Sequence, residues 1–133
     1  MTDNNVEKLN ILLVDDDSFL VDMYSMKFTA KGYNMHACLS VDDALQVLRG
    51  GFKPDAIVFD LIMPERDGFY FMQALSTENL KGSASLIGLT NESNDDTQKK
   101  VIALGADRVI VKATMIPSEV VNTVDDEIMR KRK

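Results

Sequence analysis

The stretch Asp55-Ala56-Ile57-Val58-Phe59-Asp60-Leu61-Ile62-Met63-Pro64-Glu65-Arg66-Asp67-Gly68 decides the fold. After a Lys53-Pro54 break, Ala56 to Phe59 form a short continuous apolar run. Such a run reads as a strand covered on both faces. Asp60 falls where that strand should end, and Pro64 and Gly68 mark a loop beyond it. A carboxylate just past a buried strand has no packing role, and in open parallel sheets ligands bind beyond the carboxyl ends of the strands. Asp60 is therefore a candidate site residue. The plainer reading, a cap or turn aspartate, stays open on this stretch alone.

Working outward, the same pattern returns. Ile11 to Val14 is a second apolar run, ending in Asp15-Asp16-Asp17. Ser18 then caps an expected helix carrying Leu20, Met23, Tyr24 and Phe28, stopped by Gly32. Tyr33 to Cys38 is a weaker strand. Ser40 and Asp43 have capping-box spacing for a helix with Ala44, Leu45 and Leu48, closed by Gly50-Gly51. After the opening strand a helix is expected near Phe69 to Ser76. Ser85 to Leu89 is a fourth strand, ending at Thr90, and Ser93 with Asp96 repeats the capping spacing for a helix to Leu104. Val109 to Val111 is the fifth strand, ending at Lys112. Pro117 opens a last helix with a buried stripe of Val120, Val121, Val124 and Ile128. Five apolar strands alternating with five helices predict a doubly wound α/β domain with a parallel sheet covered on both faces.

The chain has 133 residues, enough for one domain with a real core. Residues 1–9 read as a lead, 10–129 as the domain and 130–133 as a basic tail, a helix end or linker rather than a nucleic-acid arm. The net charge of −6 argues against direct nucleic-acid binding, which usually needs a basic patch. Cys38 is the only cysteine, so no internal disulfide or cysteine zinc site is possible. His36, the only histidine, and Cys38 are read as structural. No apolar run approaches the roughly 20 residues of a membrane span. The polar start, Met1 to Lys8, has no signal core. The expected location is cytoplasmic, without membrane insertion.

Four strands end in groups that can do chemistry: Asp15 and Asp16, Asp60, Thr90 and Lys112. In a parallel sheet these ends share one edge. Three carboxylates close together raise one another's pKa, and a divalent cation relieves that cost. Oxygen ligands suit Mg²⁺. A lysine and a hydroxyl beside them can hold phosphoryl oxygens. The set fits phosphoryl transfer onto a carboxylate, with Asp60 as acceptor. Taken singly, Asp15 and Asp16 could merely favour a helix N-terminus, Thr90 could enter a helix and Lys112 could be a surface lysine. Asp17 is read as exposed, Asp67 as a turn residue, and the methionines as core filler.

Val14-Asp15-Asp16, Asp60-Leu61-Ile62-Met63-Pro64 with Asp67-Gly68, Leu89-Thr90, and Gly105-Ala106-Asp107 leading to Lys112 together resemble the receiver domain of two-component response regulators. The resemblance covers roughly Asn10 to Ile128. It implies a flavodoxin-like five-stranded sheet in the order 2-1-3-4-5. It further implies that Asp60 accepts a phosphoryl group from a sensor histidine kinase or a histidine phosphotransfer protein. Asp16 would ligate Mg²⁺ directly, Asp15 through water, and the Ile62 backbone carbonyl would complete the protein ligands. Thr90 and Lys112 would bind the phosphoryl oxygens. Such a domain is a switch for an output partner, not an enzyme with external turnover.

The chain departs from the family pattern in places. Ala113 follows Lys112 where the family has proline in a cis bond. Here the bond is either a costly non-proline cis bond, at about 2.5–4 kcal/mol, or trans. Thr90 and Val109 are the switch positions, Val109 standing where an aromatic ring is usual, Asn91 where a small residue is common, and Ile62 where some relatives are polar. Val109 and Ala113 motivate an alternative, a non-switching adaptor that keeps the fold. A haloacid-dehalogenase-type phosphatase would need an acid at Ile62, and a dinucleotide-binding domain would need a Gly-x-Gly-x-x-Gly turn after the first strand.

Overall fold

A computed structural model describes residues 8–91 and 95–132. Five strands, β1 (Asn10–Val14), β2 (Asn34–Cys38), β3 (Ala56–Asp60), β4 (Ser85–Thr90) and β5 (Arg108–Val111), form one parallel sheet in the order β2-β1-β3-β4-β5. The helices are α1 (Ser18–Ala30), α2 (Val41–Arg49), α3 (Gly68–Thr77), α4 (Asp95–Ala103) and α5 (Pro117–Arg132). This is the doubly wound sheet that the pattern predicts, in the flavodoxin-like strand order that the resemblance implies.

Alternate strand residues feed two cores. Ile11, Leu13, Ala56, Val58, Ile87, Leu89 and Ile110 pack with Tyr24 and Phe28 of α1 and Val120, Val121, Val124 and Ile128 of α5. Leu12, Val14, Ile57, Phe59 and Leu86 face the other way, onto Leu45 of α2, Phe71 of α3 and Val101 of α4. Every residue of β3 is buried, which explains its unbroken apolar run. Truncating a buried ring such as Phe59 costs about 3–5 kcal/mol.

Several local expectations are corrected. Asp17, not Ser18, caps α1, because its carboxylate accepts the Phe19 and Leu20 N–H groups at 3.0 and 3.2 Å. Asp67 is likewise a cap rather than a turn residue, accepting from Tyr70 N at 3.0 Å. Ser40 caps α2 as expected, accepting from Asp43 N at 3.1 Å. β2 begins at Asn34, while Tyr33 turns its ring edge-on to Phe28 and its hydroxyl to Asp125. Met63 and Met72 are core, but Met26 and Met129 are exposed. Met26 sits on α1 away from the buried Val21, Tyr24 and Phe28. The Ser93 cap lies outside the described residues. α5 continues through the basic cluster, where Arg130 meets Glu127 at 2.7 Å and Lys131 meets Asp107 at 3.3 Å.

Candidate functional site

Sheet register brings the chemical groups to one edge. Val14 lies beside Phe59, Asp60 beside Leu89, and Thr90 beside Val111. The residues that leave these strands therefore emerge side by side. Asp15 follows β1 and is fully buried, its N–H donating to the Cys38 carbonyl at 3.1 Å. Asp60 ends β3 and Thr90 ends β4, both buried. Lys112 follows β5 directly and opens a 3-10 turn to Thr114.

Lys112 Nζ lies 2.6 Å from Asp15 Oδ2 and 3.3 Å from Asp60 Oδ2. Each of these side chains is at most 8% exposed, so one ammonium is shared by two carboxylates away from solvent. Asp16 adds a third, exposed carboxylate, and one oxygen from each of the three lies within 4.8 Å of the others. Asp15 Oδ1 accepts from Asp17 N at 3.0 Å, and Asp60 Oδ1 accepts from Ile62 N at 3.3 Å.

Three acids against one base leave an uncompensated negative charge. Burial pushes the Asp60 carboxyl up to about 6, with the charge of Asp15 adding to it; Lys112 and the Ile62 N–H only partly offset the rise. Burial pulls the Lys112 ammonium down. The hydrogen bond to Asp15 and the charges of Asp60 and Asp15 outweigh it, for a net rise. A divalent cation held by hard oxygen donors fits this arrangement.

The geometry thus joins Asp15, Asp16, Asp60 and Lys112, and puts Thr90 on the same edge. Ile62 is 61% exposed in the loop that leaves β3. Val109 is not at the edge: it pairs with Gly88 and packs, half-buried, against the core that faces α2, α3 and α4. The Lys112–Ala113 bond is trans, since no cis peptide occurs among the described residues, and Lys112 still reaches both acids.

Two residues at the site had escaped a functional reading. A Cβ on Gly68 would lie 2.8 Å from the Asp60 carbonyl oxygen and from Leu61 Cα, so α3 can start against the end of β3 only with glycine there. Tyr24, buried beneath the site, has its hydroxyl pKa raised mainly by burial, with Lys112 opposing and Asp15 and Asp60 adding. The Asp-Gly pair gave a signal for a turn at Gly68, but nothing in the sequence separated Tyr24 from ordinary core.

Comparison with known proteins identifies the class. The sequence profile of the response regulator receiver domain matches residues 11–125. The chain belongs to that family, and it is the receiver domain of a two-component response regulator. Response regulator SaeR of Staphylococcus aureus is 27% identical over 124 residues, covering 93% of this chain and 52% of that protein. The chain thus spans about half the length of this curated relative. The chemotaxis protein CheY4 of Vibrio cholerae superposes with a TM-score of 0.83 at 24% identity, over 91% of this chain and 99% of that one. A Francisella response regulator receiver domain gives 0.82 at 22%, over 92% and 98%. These two likenesses show the fold. No described helix is long and apolar enough to cross a membrane.

Proposed function

We propose that the chain is a phosphoacceptor whose Asp60 takes a phosphoryl group from a phosphohistidine on a sensor kinase or phosphotransfer protein. The observation that carries this is the buried Lys112 ammonium, 2.6 Å from Asp15 and 3.3 Å from Asp60, beside a third carboxylate. The Asp60 carboxylate attacks phosphorus, the phosphorus–nitrogen bond breaks, and the electron pair leaves with the imidazole. Lys112 and the Thr90 hydroxyl hold phosphoryl oxygens as charge builds on them. Asp15, Asp16, Asp60 and the Ile62 backbone carbonyl are the groups that would hold Mg²⁺. When bound, the ion neutralises charge on acceptor and phosphoryl group. Turnover is limited to the chain's own aspartyl phosphate, and the site of action is the cytoplasm.

Val109 favours a second reading. A half-buried valine with one preferred rotamer cannot swing a ring inward, which fits an adaptor that keeps the fold without switching. Intact mass after treatment with acetyl phosphate and Mg²⁺ separates the two readings. A phosphoacceptor gains one phosphate and Asp60→Asn gains none, whereas a mass unchanged in both proteins leaves the adaptor.

A further inference from the structure

The turn before β4 holds an amine set apart from the paired and solvated lysines. The Ala84 N–H donates to the Lys81 carbonyl at 3.2 Å, closing the turn through Gly82. Lys131, at the end of α5, lies over that turn with its Nζ 3.4 Å from the Ala84 carbonyl oxygen. Lys81 is half-buried there, and its amino group is hydrogen-bonded to that of Lys131. An ammonium has three donors and no acceptor, so two lysines share a hydrogen bond only when one has given up a proton. Lys131 keeps its own, because Asp107 Oδ2 lies 3.3 Å away. Lys81 has no carboxylate within ion-pair distance among the described residues. Burial and the Lys131 charge hold the Lys81 ammonium below its ordinary pKa, with Asp107 opposing. Lys81 is therefore the member of the pair with a lone pair to offer.

Small molecules can reach this nitrogen. Lys81 lines an open cavity of about 390 Å³ together with Leu48, Phe52, Leu80 and Lys53. The cations nearby, Lys131 and Lys53, repel the protonated form of Lys81. They would attract the same nitrogen if it carried a negative group. A modification that turns the amine into an anion is thus the one these surroundings favour. Transfer of an acyl group would leave a neutral amide, for which neither cation is of use.

We propose that Lys81 takes up carbon dioxide as a carbamate. The Lys81 nitrogen attacks the carbon of CO₂, one carbon–oxygen π bond breaks onto oxygen, and the nitrogen releases a proton to water. No oxidant or reductant is needed. The carbamate oxygens accept from the Lys131 ammonium. Lys131 is then held between the carbamate and Asp107, pinning the end of α5 to the turn before β4. The site lies at the amino end of the strands, opposite Asp60, and is independent of the phosphoacceptor reading.

The test equilibrates the whole folded chain with isotopically labelled bicarbonate and CO₂, traps carbamates with triethyloxonium, and locates the ethyl carbamate by peptide mass. Lys81 is expected to carry severalfold more label than Lys27 or Lys99, which are exposed. Lys81→Arg is expected to carry none at that position. Lys131→Gln, with wild-type circular dichroism, is expected to lose severalfold in label at Lys81. Lys131→Arg keeps a cation beside Asp107 and is expected to retain the label, so it decides the matter even if the glutamine variant misfolds. Label on Lys131 in place of Lys81, label spread evenly over the exposed lysines, label lost in Lys131→Arg, or label unchanged in Lys131→Gln overturns the proposal.

Discussion

The two ends of the sheet use aspartate in opposite ways. At the amino ends of the strands each acid is matched to donors. Asp55 accepts the Asn10 N–H at 2.8 Å, and Asp107 accepts the Leu86 N–H at 2.8 Å while meeting Lys131 at 3.3 Å. At the carboxyl ends Asp15 and Asp60 share one buried ammonium, and Asp16 has a carboxylate within reach of both. Matched acids hold loops to strands. Acids in excess of their partners are costly to keep ionised, and a divalent cation relieves that cost.

The comparison breaks most sharply if an acid from each end is neutralised in turn. Asp60→Asn is expected to abolish phosphate uptake. Asp107→Asn is expected to leave uptake intact but to lower unfolding free energy by about 0.5–1.5 kcal/mol, the worth of a part-buried hydrogen bond, measured by urea denaturation. If Asp107→Asn also abolished uptake, the division between the two ends would fail.

Lys112→Met comes next. Loss of the one shared ammonium is expected to slow phosphorylation by about 10²–10³-fold, the usual effect of deleting one electrostatic contact to a transition state. Single-turnover labelling would measure this.

A smaller effect concerns pH. Asp60 is raised to about 6 from an ordinary 3.8. The folded, metal-free chain therefore binds a proton there more readily than the unfolded chain does. Ionised Asp60 is destabilising, and this group adds stability as pH falls through 6 toward 4. Melting temperatures in chelator should show Asp60→Asn more stable than wild type at pH 7.5, with the gap narrowing at pH 5.5. A gap independent of pH would contradict the shift.

The mildest expected change is at Ile62. Its apolar side chain is exposed in the loop that follows Asp60, where it is expected to hinder water approaching an acyl phosphate. Ile62→Asn is expected to quicken phosphate release severalfold, and an unchanged time course would remove that role.

Much of this was legible in the chain because of how parallel sheets bury their strands. β1, β3 and β4 are covered on both faces and read as continuous apolar runs, so the acids and threonine that end them stood out. β2 was faint because it is an edge strand with Asn34, His36 and Ala37 exposed. The start of α1 was misplaced by one residue because Asp17 and Ser18 are both good caps, and only geometry chooses between them. Gly68 was legible as a turn but not as a seat for α3, since that role depends on an approach to Asp60 and Leu61 across the loop.

The most direct measurement reduces the acyl phosphate with borohydride after treatment with acetyl phosphate and Mg²⁺, then locates the altered residue by peptide mass. Reduction at position 60 alone, dependent on the metal, is the expected result. A label at Asp15, Asp16 or any other residue, or one that forms equally well in chelator, would contradict the assignment of Asp60 as the acceptor in a cation-requiring site.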